Sequence, residues 1–502
     1  MDVRPISLRE SLGAVSFVST GDIIASRFCS DSRRIQPGDV FVALRGSHCD
    51  GHLHLDAAIA RGAVGVVVER ASSRINVPQC VVADSRAAFA KICVDRLGTP
   101  QRLMNVVGVT GTNGKTTTTW LLRSILESAG RMTGLLGTLE YFDGRTAQPA
   151  SLTTPDCEQL ALLLSQMARN HVSDCVLEIS SHALDQRRCA GVTLNAAAIT
   201  NITQDHFDYH GDIDRYQAAK SRVASLLRPG CPLFLGLDDA GCRSILDRLK
   251  ENCHVVTFGL DPAADARVII LNASSRGQTL QLCLKNSTFE IQTPLIGRHN
   301  ALNALLAAIM AEQAGAKENE IRDGLERVLS VPGRMERIDV GQPFLVFVDY
   351  AHTPDGIANC VSTARTLTSG RVILAFGAGG DRDRGKRPLM AQAAGAADAV
   401  IVTSDNVRSE SPRQIIADIV AGFDSMEHIQ TRVDRQQGIR EALRLAKPGD
   451  VVVIAGRGHE ANQQVGERKI SFDDRRVTRR LLLELQTQTD GLSEALPSSI
   501  PA

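Results

Sequence analysis

Apolar runs of strand length, each ending in a glycine or polar cluster, recur along this chain and set its expected fold. Val106, Val107 and Val109 lead into Gly111-Thr112-Asn113-Gly114-Lys115-Thr116-Thr117, and apolar positions at helical spacing follow at Trp120, Leu121, Ile125 and Leu126. Strand, glycine turn and helix in that order make a phosphate-binding loop. The glycines let several backbone N–H groups face one anion, and the helix N-terminus adds partial positive charge. On that reading Lys115 reaches the outer phosphates and the Thr116 hydroxyl ligates Mg²⁺. Val109 stands where the general pattern has a glycine, so the loop is a variant form. The plainer reading is a turn that only joins strand to helix, but Lys-Thr after the last glycine serves no turn.

The same pattern divides the chain. In residues 1–100, strands are expected at 40–44 and 64–68 with a short helix at 57–61 between them. Residues 101–331 carry the glycine loop, then Thr153-Thr154-Pro155-Asp156, read as a helix start with Thr154 as N-cap and Pro155 as first helical residue. Glu178 interrupts the apolar run 175–179. It is either an edge-strand carboxylate facing water or, beside a nucleotide, a metal ligand. The run 194–200 ends in Asn201-Ile202-Thr203-Gln204-Asp205-His206-Phe207-Asp208-Tyr209-His210-Gly211. His206 is the best neutral-nitrogen ligand there, His210 is equally well structural, and Lys220 alone reads as a surface lysine.

Residues 332–485 hold four buried-strand runs, at 344–348, 372–376, 399–403 and 451–455. Their ends carry Asp349-Tyr350-Ala351-His352, Gly377-Ala378-Gly379-Gly380-Asp381-Arg382, Ser404-Asp405-Asn406-Val407-Arg408 and Gly456-Arg457-Gly458-His459-Glu460. Four such ends on successive strands describe a doubly wound sheet with one ligand-binding edge. The basic run 382–387 reads as a solvated loop or a pocket for anions. Residues 486–502 are expected to be a disordered tail.

A chain of 502 residues is too long for one core and is expected to form about two to four domains. Lys+Arg and Asp+Glu are both 56, which argues against nucleic-acid or anionic-membrane binding. Twelve cysteines include no C-x-x-C pair, so neither a zinc ribbon nor a redox motif is indicated. His48, Cys49, His52 and His54 fit no common ligand spacing. With no signal-peptide h-region and no membrane-length apolar run, a soluble cytoplasmic protein with free thiols is expected.

The motifs TGTNGKTTT, EISSHAL, NITQDHFDYHG, AAK at 218–220, GRMERID, VDYAHTPDGI, FGAGGDRDRGKRPLM and IAGRGHE together resemble the Mur ligases of peptidoglycan synthesis along nearly the whole chain. The resemblance is strongest to members that add the third peptide residue. It implies an α/β chain of three domains: an N-terminal domain for the UDP substrate, a central P-loop ATPase-type parallel sheet, and a C-terminal Rossmann-like doubly wound sheet for the amino acid. The implied substrates are ATP, UDP-MurNAc-L-Ala-D-Glu and meso-diaminopimelate, with a monomer expected and neither nucleic acid nor membrane insertion involved.

By the same resemblance, the loop residues 111–117 hold the nucleotide, with Lys115 on its outer phosphates. Thr116 and Glu178 hold one Mg²⁺; His206 and a carbamylated Lys220 serve a second. Arg334 reaches the γ-phosphate, Asn300 lies near the adenine and Asp349 near the ribose. Ser30, Ser32, Ser47, His48, Cys49, Thr153, Thr154, Ser180, Gln186 and Arg188 meet the UDP-muramoyl dipeptide. Arg382, Asp405, Asn406, Val407, Arg408, Gly456 and Glu460 meet the amino acid, and Arg408 would pair with the distal carboxylate of diaminopimelate. The related enzymes have D-N-P-R where this chain has D-N-V-R, so Val407 replaces a stiffening proline. The same ligase using L-lysine, a folylpolyglutamate-synthetase-like ligase, and a P-loop NTPase switch are the alternatives.

Overall fold

A computed structural model describes residues 4–46 and 49–494; Ser47 and His48, expected at the substrate, lie outside the described residues. Three separate sheets organise the chain. The N-terminal sheet runs in the order Ser16–Val18, Gln79–Val81, Gly65–Val68, Val40–Val42, Phe28–Cys29, parallel except for its first pair. The helix Ser85–Asp95 of this domain packs on the helix Cys157–Arg169 of the next, inside one continuous apolar cluster.

The central sheet has eleven strands among the described residues. Its parallel core runs Thr133–Leu136, Asp174–Glu178, Asn105–Thr110, Ala196–Ile199, Pro232–Gly236, His254–Gly259. An antiparallel ribbon of Ala266–Ser274, Gly277–Cys283 and Thr288–Thr293 extends it. The strand Asn105–Thr110 therefore lies in the sheet interior and delivers the glycine loop at its carboxyl end, where α/β sheets bind ligands. Val109 is fully buried in this strand, and the turn begins only at Gly111, which accounts for the missing glycine.

The helix Lys115–Ser128 follows. Leu121, Leu122, Ile125 and Leu126 are at most 1% exposed, and the helix packs on Arg298–Gln313 and Glu318–Arg327. Each such side chain contributes about 1.5–3 kcal/mol by burial, so Leu122→Ala would cost about 2–5 kcal/mol and loosen the loop's seat.

The helix expected to start at Thr154 instead starts at Cys157 with Asp156 as N-cap, its carboxylate accepting from Gln159 N. Thr154 is fully buried and otherwise engaged: its Oγ1 donates to Glu178 O at 2.8 Å and accepts from Ser180 N at 2.9 Å.

The C-terminal sheet runs Glu336–Arg337, Leu345–Asp349, Val451–Ala455, Val372–Phe376, Ala399–Thr403, Ile429–Arg432, parallel after its first pair. All four expected strands are present, and their ends share one edge. The last helix, Asp474–Glu494, is anchored by a buried ion pair from Arg435 to Asp474 at 2.6 Å. It continues past residue 485 to Glu494, and residues 495–502 of the expected tail lie outside the described residues. No helix of the described residues is long and apolar enough to cross a membrane.

Candidate active site

The glycine loop closes on itself through neighbouring threonine and asparagine side chains. Gly111 has φ +145°, and a Cβ there would overlap Thr200 Oγ1, so only glycine fits that turn. Asn113 N donates to Asn201 Oδ1 at 2.9 Å, and Thr200 Oγ1 donates to Asn113 O at 2.6 Å. The Lys115 ammonium bonds Gly111 O and Thr112 O at 2.8 and 2.9 Å. It lies across the cradle, and burial lowers its pKa.

Glu178 is 1% exposed on an interior strand, which rules out an edge position facing water. Its carboxylate accepts from Thr116 Oγ1 at 3.0 Å, Thr138 N at 2.9 Å and Thr138 Oγ1 at 2.8 Å. These donors offset the desolvation of the charge. Gly137 leaves the room, since a Cβ on it would overlap Glu178 Oε1. Among the described residues no group of three or more His, Cys, Asp or Glu side chains gathers as a cage for a metal. Thr116 and Glu178 instead form a small oxygen cluster at the phosphate loop. That suits Mg²⁺, which is held by one or two carboxylates together with substrate phosphates.

One pocket is lined by the loop 111–117, Thr153, Ser180, His206, Lys220, Asn300, Arg334 and Asp349. His206 sits in the left-handed region at φ +57° with Nε2 3.3 Å from Asp205. Burial takes its pKa down to about 3, leaving a neutral imidazole. His210 is structural: it is buried, with Nε2 3.0 Å from Ser181 Oγ. Lys220 is buried rather than a surface lysine. Among the described residues its ammonium makes no hydrogen bond or ion pair, and it lies 4.5 Å from the Tyr216 ring. Burial and the nearby Lys115 push its pKa well down. A buried amine whose pKa is pushed down and which makes no hydrogen bond or ion pair among the described residues fits carbamylation.

The C-terminal domain closes over this pocket. Arg334 Nη2 donates to Thr116 Oγ1 at 3.1 Å, and its guanidinium lies 4.4 Å from the Tyr350 ring. Asp349 accepts from Met335 N and Ala351 N at 2.6 and 2.7 Å, which fixes the segment carrying Arg334. Asn113 Nδ2 donates to Asp355 Oδ2 at 2.8 Å across the same interface. Asn300 lines the pocket, although its amide is engaged with Ile296 O at 2.9 Å and Asn303 at 3.1 Å.

Sequence reasoning missed a further closure contact. Lys386 and Asp205, both buried, form an interdomain pair at 3.0 Å. Burial alone would raise the Asp205 pKa, but Lys386, His206 and His352 hold it far below the usual carboxylate range. The basic run 382–387 is thus only partly a solvated loop. Arg387 is fully buried between Glu410 and Asp418, and Lys386 is turned inward. Asp205 adjoins His206 in the quoted motif, which was the available signal. His299 also lines the pocket without having been expected there, and Tyr350 and His352 of the strand-end cluster line it too.

A second cluster lies at the far strand ends of the C-terminal sheet. Asp405, Asn406 and Val407 are buried. Asn406 Nδ2 donates to Glu460 Oε2 at 2.7 Å, and Gly456 N to Asp349 O at 3.1 Å. Arg408 and Arg382 converge over Gly379: a Cβ on that glycine would lie 2.9 Å from Arg408 Nη1 and 3.7 Å from Arg382 Cγ. Burial, then the charge of Arg382, lowers the Arg408 pKa. Arg382 Nη1 donates to Asp381 O at 2.9 Å and Arg408 Nη1 to Gly380 O at 2.7 Å, so both arginines are anchored to this loop.

The remaining expected residues lie outside the nucleotide pocket. Gln186 accepts from Arg188 Nη2 at 2.7 Å, and Arg188 Nη1 donates to Thr154 O at 3.0 Å. Ser30 and Ser32 flank the Asp31 cap of the short 3₁₀ turn Ser32–Arg34. Cys49 is exposed, with Sγ 3.0 Å from His54 Nε2.

Family models match three stretches: the Mur ligase family catalytic domain over 28–96, the Mur ligase middle domain over 109–311, and the Mur ligase glutamate ligase domain over 333–458. A UDP-N-acetylmuramoyl-L-alanyl-D-glutamate–2,6-diaminopimelate ligase of Syntrophomonas wolfei is 41% identical, covering 90% of this chain and 93% of its own. One of the same name from Halalkalibacterium halodurans is 38% identical over 97% and 100%. A solved structure of a ligase so named superposes with TM-score 0.67 at 32% identity, covering 96% of this chain and 99% of its own. Folylpolyglutamate synthase of Mycobacterium tuberculosis, at TM-score 0.62 and 21% identity over 74% of this chain and 92% of its own, shares the fold. The chain belongs to the Mur ligase family.

Proposed function

We propose that the protein adds meso-diaminopimelate to the D-Glu γ-carboxylate of UDP-MurNAc-L-Ala-D-Glu. ATP drives the addition through an acyl phosphate, with release of ADP and phosphate, during peptidoglycan-precursor synthesis in the cytoplasm by a monomer. The observation that carries this reading is the hydrogen bond from Arg334 of the C-terminal domain to Thr116 of the phosphate loop. A nucleotide site completed by the domain that also carries an amino-acid-sized cluster suits ligation better than switching.

A free carboxylate is a poor electrophile, and phosphorylation gives it a leaving group. Lys115, once drawn off the carbonyls of its own loop, and Arg334 meet the charge that develops on the transferring phosphoryl oxygens. Mg²⁺ held at Thr116 and Glu178, and a second ion at His206 and carbamylated Lys220, would supply further neutralisation of that charge. Closure by the Lys386–Asp205 and Asn113–Asp355 contacts keeps water from the acyl phosphate. The amine nitrogen then attacks the carbonyl carbon, the C–N bond forms, phosphate leaves and the amine proton is released.

Arg408 and Arg382 favour diaminopimelate over L-lysine. Lysine lacks the distal carboxylate and would leave two neighbouring cations unpaired, whereas diaminopimelate lets Arg408 form a bidentate pair. A panel of amino-acid acceptors with ATP and the UDP-muramoyl dipeptide tests this. Product should form with meso-diaminopimelate well ahead of L-lysine, and equal or better use of lysine would contradict the reading.

A further inference from the structure

The hairpin of strands Asn462–Val465 and Arg468–Ser471 stands apart from every large sheet and is mostly exposed. A two-stranded hairpin is marginal by itself, so contacts elsewhere must hold it. At its base, the fully buried Arg457 donates through Nη2 to Asn462 O at 2.6 Å and Phe472 O at 3.0 Å, gripping both stems.

Nearer its tip it is bonded to the loop 405–408. Gln463 Nε2 donates to Asp405 O at 2.7 Å, and Gln464 N to Asn406 Oδ1 at 2.8 Å. Arg408 N donates to Gln464 O at 3.2 Å, and Gly466 N to Arg408 O at 2.7 Å. The last two bonds hold both peptide groups of a residue at φ +49°, in the left-handed region that an arginine enters only under constraint. In this conformation Arg408 Nη1 reaches Gly380 O at 2.7 Å, over Gly379, where Arg382 Cγ also comes close.

We propose that this hairpin is a specificity-determining clasp, setting the backbone of Arg408 so that its guanidinium meets the distal carboxylate of the amino-acid substrate. It supplies the stiffness that Val407 cannot. The proposal rests on the reading that Arg408 binds that carboxylate.

Three variants test it in the full chain with ATP, the UDP-muramoyl dipeptide and meso-diaminopimelate. Gly466→Pro removes the N–H that Arg408 O accepts and forbids φ +58° at the hairpin turn. Gln463→Ala removes one side-chain donor and leaves the turn intact. Arg408→Ala removes the reader. Gly466→Pro should raise the KM for diaminopimelate about tenfold, the scale of one unsupported left-handed residue, and leave the KM for ATP unchanged. Gln463→Ala should raise it about two- to fivefold, as loss of one hydrogen bond does. In the Arg408→Ala background, Gly466→Pro should add less than about twofold.

A folded Gly466→Pro enzyme with wild-type KM for diaminopimelate overturns the clasp, as does an effect of equal size in the Arg408→Ala background. If Gly466→Pro does not fold, an unchanged KM in Gln463→Ala overturns it instead. An unaffected Arg408→Ala enzyme overturns the prior assignment of Arg408. An impaired Arg408→Ala enzyme beside unimpaired hairpin variants rejects the clasp alone.

Discussion

Arg334 of the C-terminal domain donates a hydrogen bond to Thr116 of the phosphate loop at 3.1 Å, at the hydroxyl that also donates to Glu178 at 3.0 Å. A guanidinium, a hydroxyl and a carboxylate from different elements thus meet where the outer phosphates belong. Arg334→Ala should lower kcat by about 10²–10³-fold, as loss of one preorganised donor does, with little change in melting temperature. A kcat within a few-fold of wild type would place the phosphate elsewhere.

Glu178→Gln keeps the shape of the side chain and removes its charge. The Mg²⁺ concentration for half-maximal activity should rise about ten- to a hundredfold. Titrating Mg²⁺ at fixed ATP measures this, and an unmoved midpoint would assign the ion to other groups.

Lys220→Ala should lose activity and regain part of it with formate or acetate, which restore an anionic oxygen where the carbamate would stand. Mass spectrometry under CO₂ should show a 44 Da adduct on the wild type, the mass of one CO₂, and none on the variant. An unmodified wild type, with no rescue of the variant by any short carboxylate, would refute carbamylation.

Much of this site was legible because its signals are local. The glycine loop is one contiguous segment, and each strand end of the C-terminal sheet carries its polar cluster within a few residues. The pairings that close the domains were not legible. Lys386 and Asp205 are 181 residues apart, and the motif around Asp205 says nothing of a partner in another domain. Thr154 failed as an N-cap because Asp156 was equally able to cap, and only packing showed that Thr154 serves the Glu178 and Ser180 backbone. The stiffening of Arg408 was invisible for a similar reason, since backbone groups of a distant hairpin provide it.

Acid should destabilise the ligand-free protein earlier than carboxylate titration alone would. Burial takes His182 down from 6.5 to about 4, and His206 and His459 from 6.5 to about 3. The unfolded chain therefore binds protons on these imidazoles below about pH 6.5 while the folded chain does not, so stability falls as pH drops through that window. Melting temperatures measured from about pH 8 to 4 should decline from about 6.5 downward, and His459→Gln should lessen the slope. A flat profile to about pH 5 would show that these rings protonate in the folded state.

If three domains close so that a phosphorylated carboxyl meets an amine, ATP cleavage must be coupled to the presence of both acceptors. ADP should appear in equal amount to the UDP-muramoyl tripeptide, and only with the UDP-muramoyl dipeptide and meso-diaminopimelate both present. ADP release that continues undiminished when either is left out would rule out ligation and favour a nucleotide switch.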